Sequence, residues 1–564
     1  MIQIPYGNAN FEEIRKEGLI YVDKTKYIEL LEQGDDRKKV IYLRPRRFGK
    51  SLFTSMLTSY YSVDRKDQFE ELFGDLYIGK NPTVNKNNYY VMNFDFSGMA
   101  IIGQDIIEEG KNGFNQIVSV CLRSFCNRYS LGIEIKGNMA ADMLRNFLED
   151  FRSLNLQHQI YIMVDEYDNF TNAILNGDGQ EFLDLVQRNG FVRSFYEVVK
   201  TYLGSGVIGR FFATGVMPVT MDNLTSGFNV ATNISTDADF SSMIGFTHKE
   251  VRELVKKVID PDIQEKVYRD LEQNYDGYRF SEDNEEKTFN STLVMYYLNN
   301  YVRRNAPPRN IIDMNMNTSG EKIRRTVELV NPKLNYEVID EVLLNNEISG
   351  TLAPVVLDEK YDKNCLITML FYSGYLTIKE QRTETIFTIP NYVTDTLYGD
   401  YLVRFLAENK SYEINTNNIS EAIMDFGEYG NIIDLVELVK RYTEKLSNRD
   451  TEGFSEKNLK LIFMFFISLS RNYYAADEVP SNQGFIDLML LKTSSSYSKY
   501  EATIELKYVK KSEAKNLDRE ELVKNSKEQL LRYMQDRRIS DREYLKKYVI
   551  IFIGLDEYIV EEVL

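Results

Sequence analysis

The run KVIYLRPRRFGKS (Lys39–Ser51) decides how the first half of the chain is read. Lys39–Leu43 is rich in β-branched and aromatic residues and forms a short strand. Arg44 to Lys50 follow as a tight loop, and from Leu52 the apolar residues recur at helical spacing. Strand, tight loop, Gly-Lys-Ser and helix is the order in which a phosphate-binding loop is built. Backbone N–H groups and the helix N-terminus must face the β- and γ-phosphates, so the sharpest point of the loop has no room for a Cβ. Gly49 meets that need, Lys50 supplies a point charge, and Ser51 offers a hydroxyl to Mg²⁺. Arg46, Arg47 and Phe48 complete the nucleotide-facing loop. Arg44 stands where the usual pattern has a glycine.

Further along, Ile160–Glu166 reads as a buried strand ending in two adjacent carboxylates. Side chains diverge at a strand end, so Asp165 is expected to hold the water shell of a magnesium ion while Glu166 polarises the attacking water. The strand Arg210–Gly215 ends in Thr214, which either senses the γ-phosphate between these two motifs or is a buried, backbone-bonded threonine. Apolar runs at Lys39–Leu43, Tyr89–Phe96, Ile160–Val164 and Arg210–Val216 alternate with helical stretches such as Phe182–Leu203. That alternation predicts an α/β unit, a parallel sheet with helices on both faces, and the loop and carboxylate motifs it carries point to a nucleoside triphosphate, ATP, held with Mg²⁺.

At about 150 residues per domain, the 564-residue length suggests roughly three to four domains. With 43% hydrophobic and 27% charged residues the chain can bury several cores. It has no long apolar run and no leader pattern, so a soluble, cytoplasmic, non-membrane protein is expected. Cys121, Cys126 and Cys365 make no disulfide framework or zinc pattern, and His158 and His248 are too isolated for a histidine-centred triad. Phosphate chemistry and carboxylate-held metals are left. The net charge of −17 (68 − 85) argues against a passive nucleic-acid coat but leaves room for a local basic groove.

From about 250 to 455 the pattern is mostly helical, broken by a helix (Leu366–Tyr375) leading into a hairpin (Leu376–Ile378 and Ile386–Ile389), a winged-helix-like layout. Beyond it, a helix (Leu459–Ser470) precedes two strands, Gly484–Leu491 and Tyr500–Lys507, then a helix at Glu520–Gln535 and a strand at Tyr548–Ile553. Residues i and i+2 of a strand share a face, so Glu505 and Lys507 point the same way, and Asp487 approaches Glu505 if the two strands form a hairpin. Two carboxylates at one spot bind a hard divalent cation, and the lysine can orient or deprotonate a metal-bound water. A surface ion-pair face is the alternative. Glu501–Lys547 holds 13 Lys/Arg against 10 Asp/Glu, either a polyanion surface or a solvated helix face.

RPRRFGKS, VDEYDNF (Val164–Phe170), ATGVMPVTMDNLTSGFN (Ala213–Asn229) and YDGYRF (Tyr275–Phe280), with Ile4–Thr25 and Gly245–Val251, resemble the bacterial AAA-ATPase-like family. Its members pair an N-terminal P-loop ATPase with a C-terminal PD-(D/E)XK-type nuclease of the α/β restriction-endonuclease-like fold. The likeness covers essentially the whole chain. Met217, where a serine is usual, and Phe289-Asn290-Ser291, where Tyr-Asn-Pro is common, are departures. The resemblance makes the arginine-rich loop ordinary and places Tyr21–Thr25 near the nucleotide base. It puts Arg279 in a helical lid, reaching the γ-phosphate or pairing on the lid surface. It also adds Glu456 as a further metal carboxylate, or else a glutamate at a helix start, and Gln529 with Tyr533 near the substrate, or else a packed tyrosine. Glu478 is a weaker acid candidate on a strand edge.

Three segments are therefore expected: an ATPase domain (1–255), a helical lid and winged-helix-like region (256–455) and a nuclease-like domain (456–564). The function implied is an ATP-binding and ATP-hydrolysing protein coupled to Mg²⁺-dependent cleavage of DNA or RNA. The alternative is an ATP-switched scaffold whose nuclease fold only binds or is inactive. Catalytic roles fall to Glu166, Asp487, Glu505 and Lys507, and an arginine completing a neighbouring site is to be sought among Arg46, Arg47 and Arg210. The oligomeric state is left open.

Overall fold

In the computed structural model the described residues are 3–98, 106–169, 190–218, 231–308, 311, 313, 326, 331–355, 361–398, 416–443, 455–470, 472–493, 496–514 and 517–564. The chain forms two compact units. One comprises Met1–Arg303, Lys322–Val342 and Asn346–Asn391; the other comprises Arg304–Glu321, Leu343–Asn345 and Tyr392–Leu564.

The first unit is built on five parallel strands: β1 (Lys39–Leu43), β2 (Tyr89–Asp95), β3 (Gln159–Asp165), β4 (Ile208–Gly215) and β5 (Thr232–Asn233), in the order β2-β3-β4-β1-β5. Parallel neighbours need crossovers, and helices Lys50–Tyr61, Ile106–Tyr129, Ala140–Ser153 and Phe191–Gly204 supply them. Residues 182–189 of the helix expected over Phe182–Leu203 lie outside the described residues, as do 219–229 of the Ala213–Asn229 motif and Phe170. Every strand presents its carboxyl end at one edge, so the loop after β1, the carboxylates after β3 and Thr214 on β4 meet there. The interior is strongly aromatic: Phe96 stacks on Phe114 at 4.8 Å between ring centres, and Phe195 meets Phe114 edge-on.

Two short strands, β6 (Phe246–Thr247) and β7 (Thr288–Phe289), pair antiparallel beside helices His248–Val258 and Gln264–Tyr275. Thr247 and Glu250 close a capping box at the first of these helices. The expected wing is present and larger than the sequence suggests. Helices Pro332–Asn345 and Lys363–Ser373 accompany a three-stranded sheet, β8 (Glu347–Gly350), β9 (Thr377–Gln381) and β10 (Thr385–Thr388), in the order β8-β10-β9.

The second unit places helices Thr416–Tyr429, Ile433–Thr443 and Glu456–Ser468 with a five-stranded sheet. Its strands β11 (Tyr473–Ser481), β12 (Gly484–Lys492), β13 (Glu501–Val509), β14 (Leu545–Ile553) and β15 (Glu557–Glu562) lie in sequence order. Only β13 and β14 are parallel, joined through helix Arg519–Tyr533; the other pairs are antiparallel. Leu459, Phe463, Leu488, Ile504, Leu506 and Ile550 pack one core, and Leu530, Val549 and Ile551 pack another. Among the described residues no helix is long and apolar enough to cross a membrane.

Candidate functional site

The loop after β1 turns at Arg47 and Gly49, both at positive φ (65° and 100°), and helix Lys50–Tyr61 starts immediately. Its first intrahelical bond is Phe53 N–H to Gly49 C=O (3.1 Å), so the N–H groups of the preceding turn are left to the loop. Lys50 is buried, and its Nζ donates to the carbonyls of Arg44 and Pro45 at 3.0 Å each. Burial lowers its pKa against the pull of Asp165, Asp168 and Glu166. An ammonium held on its own loop's carbonyls, at a helix N-terminus, suits triphosphate oxygens as replacement partners. The loop is braced from behind: Ser291 Oγ donates to Phe48 C=O (2.6 Å), and the Phe48 ring meets Tyr278 and Phe280 edge-on.

At the end of β3, Asp165 Oδ1 accepts from Thr214 Oγ1 and from the Glu166 N–H (3.1 Å). Thr214 thus ties the Asp-Glu pair to the strand lying between it and β1. Glu166 sits at φ 52°, a left-handed turn immediately after the strand end. Burial raises the Glu166 carboxyl, while Lys50 and Arg46 hold it down. Asp168, to which the sequence assigns no role, is buried and accepts from the N–H groups of Val216 (3.0 Å) and Met217 (2.6 Å). It latches the Asp-Glu turn onto the end of β4, and its signal in the sequence is that it is the third acid of Val164–Phe170. At Gly215 a Cβ would lie 2.5 Å from Asp168 Oδ1 and from the Tyr167 ring, so this approach requires glycine.

Two arginines, Arg210 and Arg279, differ from expectation, and Arg44 shows where the side chain at the usual glycine position goes. Arg44 is buried and turned away from the phosphate side, donating to the carbonyls of Leu43, Ser235 and Ser241 and lying 3.9 Å from the Phe280 ring centre. Arg210 is 3% exposed and donates to Leu31 and Arg37 carbonyls, so it cannot serve a neighbouring site. Arg279 neither reaches toward phosphate nor pairs on a surface; it is buried against the carbonyls of Ser281, Glu282, Asn284 and Lys379. Arg46 is exposed at the loop, and Arg47 is half-buried. Tyr21–Thr25 contributes a buried Lys24, paired with Glu250 at 2.7 Å, which ties this segment to the helix His248–Val258.

In the second unit, β12 and β13 pair up to Leu488 and Ile504. Asp487 and Glu505 are the next residue on each, where the strands part. Asp487 Oδ2 accepts the Leu506 N–H at 2.9 Å and takes the place of a ladder bond at the fork. Lys507 Nζ lies 2.8 Å from Glu505 Oε1, 3.5 Å from Asp487 Oδ2 and 3.9 Å from Glu456 Oε2, bringing the four predicted residues together. The Glu505 side chain is fully buried. Apart from this ion pair with Lys507, neither Glu505 oxygen has a hydrogen-bond partner among the described residues. Burial, then the Asp487 charge, raises Glu505 to about 7. Burial also raises Glu456, and the three carboxylates together raise Lys507 against the effect of its own burial.

A buried carboxylate with unsatisfied oxygens beside a second and third acid fits a divalent cation, and the ammonium among them marks where positive charge is favoured. Gln529 Nε2 donates to Tyr533 Oη at 2.8 Å, and the Tyr533 ring closes over Gly484 at the start of β12. Glu478 lies on the edge strand β11.

A family model described as a predicted AAA-ATPase matches residues 5–225, and one for the PD-(D/E)XK nuclease superfamily matches residues 454–562. The chain therefore joins an AAA-ATPase-like segment to a PD-(D/E)XK nuclease-superfamily segment. A protein from Azotobacter chroococcum mcd 1, described as an uncharacterized protein in the vnfD 5′ region, is 27% identical over 283 residues, covering 50% of this chain and 49% of that protein. The chain thus spans about half the length of this curated relative.

Proposed function

We propose that the protein binds and hydrolyses ATP in its first unit and cleaves phosphodiester bonds of DNA or RNA in its second, both with Mg²⁺. The observation that carries the nuclease half is Glu505, a fully buried carboxylate whose oxygens have no partner among the described residues beyond the Lys507 ion pair, set beside Asp487 and Lys507 at the fork of two strands. Bound there and at Ser51–Asp165, magnesium supplies charge neutralisation and an acidified water. The chain's own residues do the rest. Asp487 and Glu505 hold the cation, with Glu456 completing the carboxylate set, and Lys507 orients the attacking water and offsets charge gathering on the phosphate. In the first unit Lys50 exchanges the Arg44 and Pro45 carbonyls for the β- and γ-phosphates. Asp165 holds the cation's water shell, Thr214 fixes Asp165, and Glu166 takes the proton of the attacking water.

Cleavage of single- and double-stranded DNA and RNA, with Mg²⁺ or Mn²⁺ and with or without ATP, tests this directly. Asp487→Asn and Lys507→Ala are expected to lower cleavage at least 100-fold while leaving ATP binding intact; Lys50→Ala is expected to remove ATP binding. Cleavage unchanged in both nuclease-site variants would refute the nuclease half. A wild type that binds ATP and nucleic acid but cuts nothing would favour the scaffold alternative.

A further inference from the structure

His248, Glu272 and Asp276, in the first unit, bring one possible ligand atom each to within 4.8 Å of the others, the only such triple of His, Cys, Asp or Glu side chains among the described residues. His248 is the first residue of the helix that the Thr247–Glu250 capping box starts, so its backbone is fixed. Glu272 and Asp276 are four apart at the C-terminal end of helix Gln264–Tyr275, hence on one face. Asp276 is anchored further by Asn391 Nδ2, which donates to its carbonyl at 2.7 Å.

His248 Nε2 faces Asp276 Oδ2 at 3.2 Å, and His248 Nδ1 lies 3.7 Å from Glu272 Oε1. With ligand bonds of about 2.0–2.1 Å, two ligand atoms on a tetrahedral centre stand roughly 3.3 Å apart, so the Nε2–Oδ2 separation already has the right span. Two further observations point to a ligand. Asp276 is 7% exposed, and its Oδ1 is buried with no hydrogen-bond partner among the described residues, an oxygen that the histidine alone does not satisfy. His248 Nδ1 also lies 2.6 Å from Tyr268 Oη, and that hydroxyl reaches Glu272 Oε1 at 3.4 Å. Such a relay fixes a ligating imidazole by giving its second nitrogen a partner.

We infer that His248, Asp276 and Glu272 form a binding site for a transition-metal dication of the Zn²⁺ or Co²⁺ type, separate from the two magnesium sites. The imidazole selects against magnesium, which prefers oxygen ligands alone. Three protein ligands leave a position for water, and His248 is 38% exposed on its side chain, so the site is reachable. The cation would clip the helix His248–Val258 to the Tyr275–Phe280 segment, whose Tyr278 and Phe280 rings brace Phe48 of the phosphate loop.

The test is Co²⁺ titration of the chelator-stripped full chain in excess Mg²⁺, read by visible d–d absorption and by thermal unfolding. One Co²⁺ per chain and a raised Tm are expected. Affinity should fall tenfold or more in both His248→Ala and Asp276→Asn and stay unchanged in His158→Ala, which removes the only other histidine. A cobalt-shifted imidazole resonance in the wild type provides a reading that needs no variant. The inference is overturned if the wild type binds no Co²⁺ in the presence of Mg²⁺, if either site variant binds it undiminished, or if the spectrum is that of thiolate ligation. In each of those cases the triple is an ion pair only.

Discussion

Glu505 shows how one side chain can be placed against its own stability. A carboxyl held near 7 in the folded chain, against 4.5 for the free group, binds its proton more tightly folded than unfolded. Between those two values the folded state carries more protons, so stability falls as pH rises across the window and is level on either side. At 1.36 kcal/mol per unit, and allowing for water reaching the fork, the penalty above pH 7 comes to about 2 kcal/mol. With chelator present, the Tm of the wild type is therefore expected to fall between pH 4.5 and 7 relative to Glu505→Gln, whose amide does not titrate. Differential scanning calorimetry of the two proteins across that range checks it; parallel curves would contradict the placement of this carboxyl. Metal binding reverses the penalty, so uptake of Mn²⁺ near pH 6 should release close to one proton, measurable by calorimetry in buffers of different ionisation enthalpy.

At the scale of elements, the strand between the two ATPase motifs sets the geometry. Because β4 lies between β1 and β3, its last residues touch both motifs: Thr214 holds Asp165, Gly215 C=O accepts the Arg44 N–H of the phosphate loop at 3.1 Å, and Gly215 lets Asp168 and Tyr167 close over the strand end. Gly215→Ala introduces a Cβ at 2.5 Å from both, which costs about 1–3 kcal/mol or displaces the Asp-Glu turn. ATP turnover is expected to fall at least tenfold with cleavage by the second unit retained, and unchanged turnover with unchanged Tm would disprove the latch. The strands that carry motifs were legible because they are buried on both faces and read as continuous apolar runs. By contrast, β15 and β8 carry no such signal: Glu557–Glu562 and Glu347–Gly350 are short, polar and edge-placed. For the same reason β11, with Asp477, Glu478 and Pro480, appeared only as an edge beside Glu478. The loop before Ser51 and the Glu505–Lys507 pair were readable since contiguous or i, i+2 spacing already fixes their relation. Where Arg44 points, and that His248 meets Asp276, depend on packing between segments distant in sequence, which no local pattern encodes.

Over the whole molecule, a net charge of −17 has to be reconciled with a polyanionic substrate. A protein that binds nucleic acid through six to ten phosphate contacts loses roughly 10³–10⁵ in affinity between 50 and 200 mM salt, because each neutralised phosphate releases a counterion. Here several lysines and arginines of the second unit are already paired: Lys511 with Asp556, Arg519 with Glu557, Lys527 with Glu561, Arg542 with Glu501 and Lys546 with Glu562. Each such pair removes a cation from those that could neutralise phosphates, and the overall negative field repels the substrate at distances that salt screens. The two effects oppose each other as salt rises, since contacts weaken while repulsion fades. Cleavage should consequently respond weakly, with a log–log slope of kcat/KM against monovalent salt shallower than about −3 at fixed Mg²⁺. A slope of −6 or steeper would mean a broad basic surface reads the backbone, and the substrate would then be held by contacts well beyond Asp487, Glu505 and Lys507. A shallow slope places recognition at the cation site itself, where the divalent ion, rather than lysine side chains, carries most of the charge that meets the scissile phosphate.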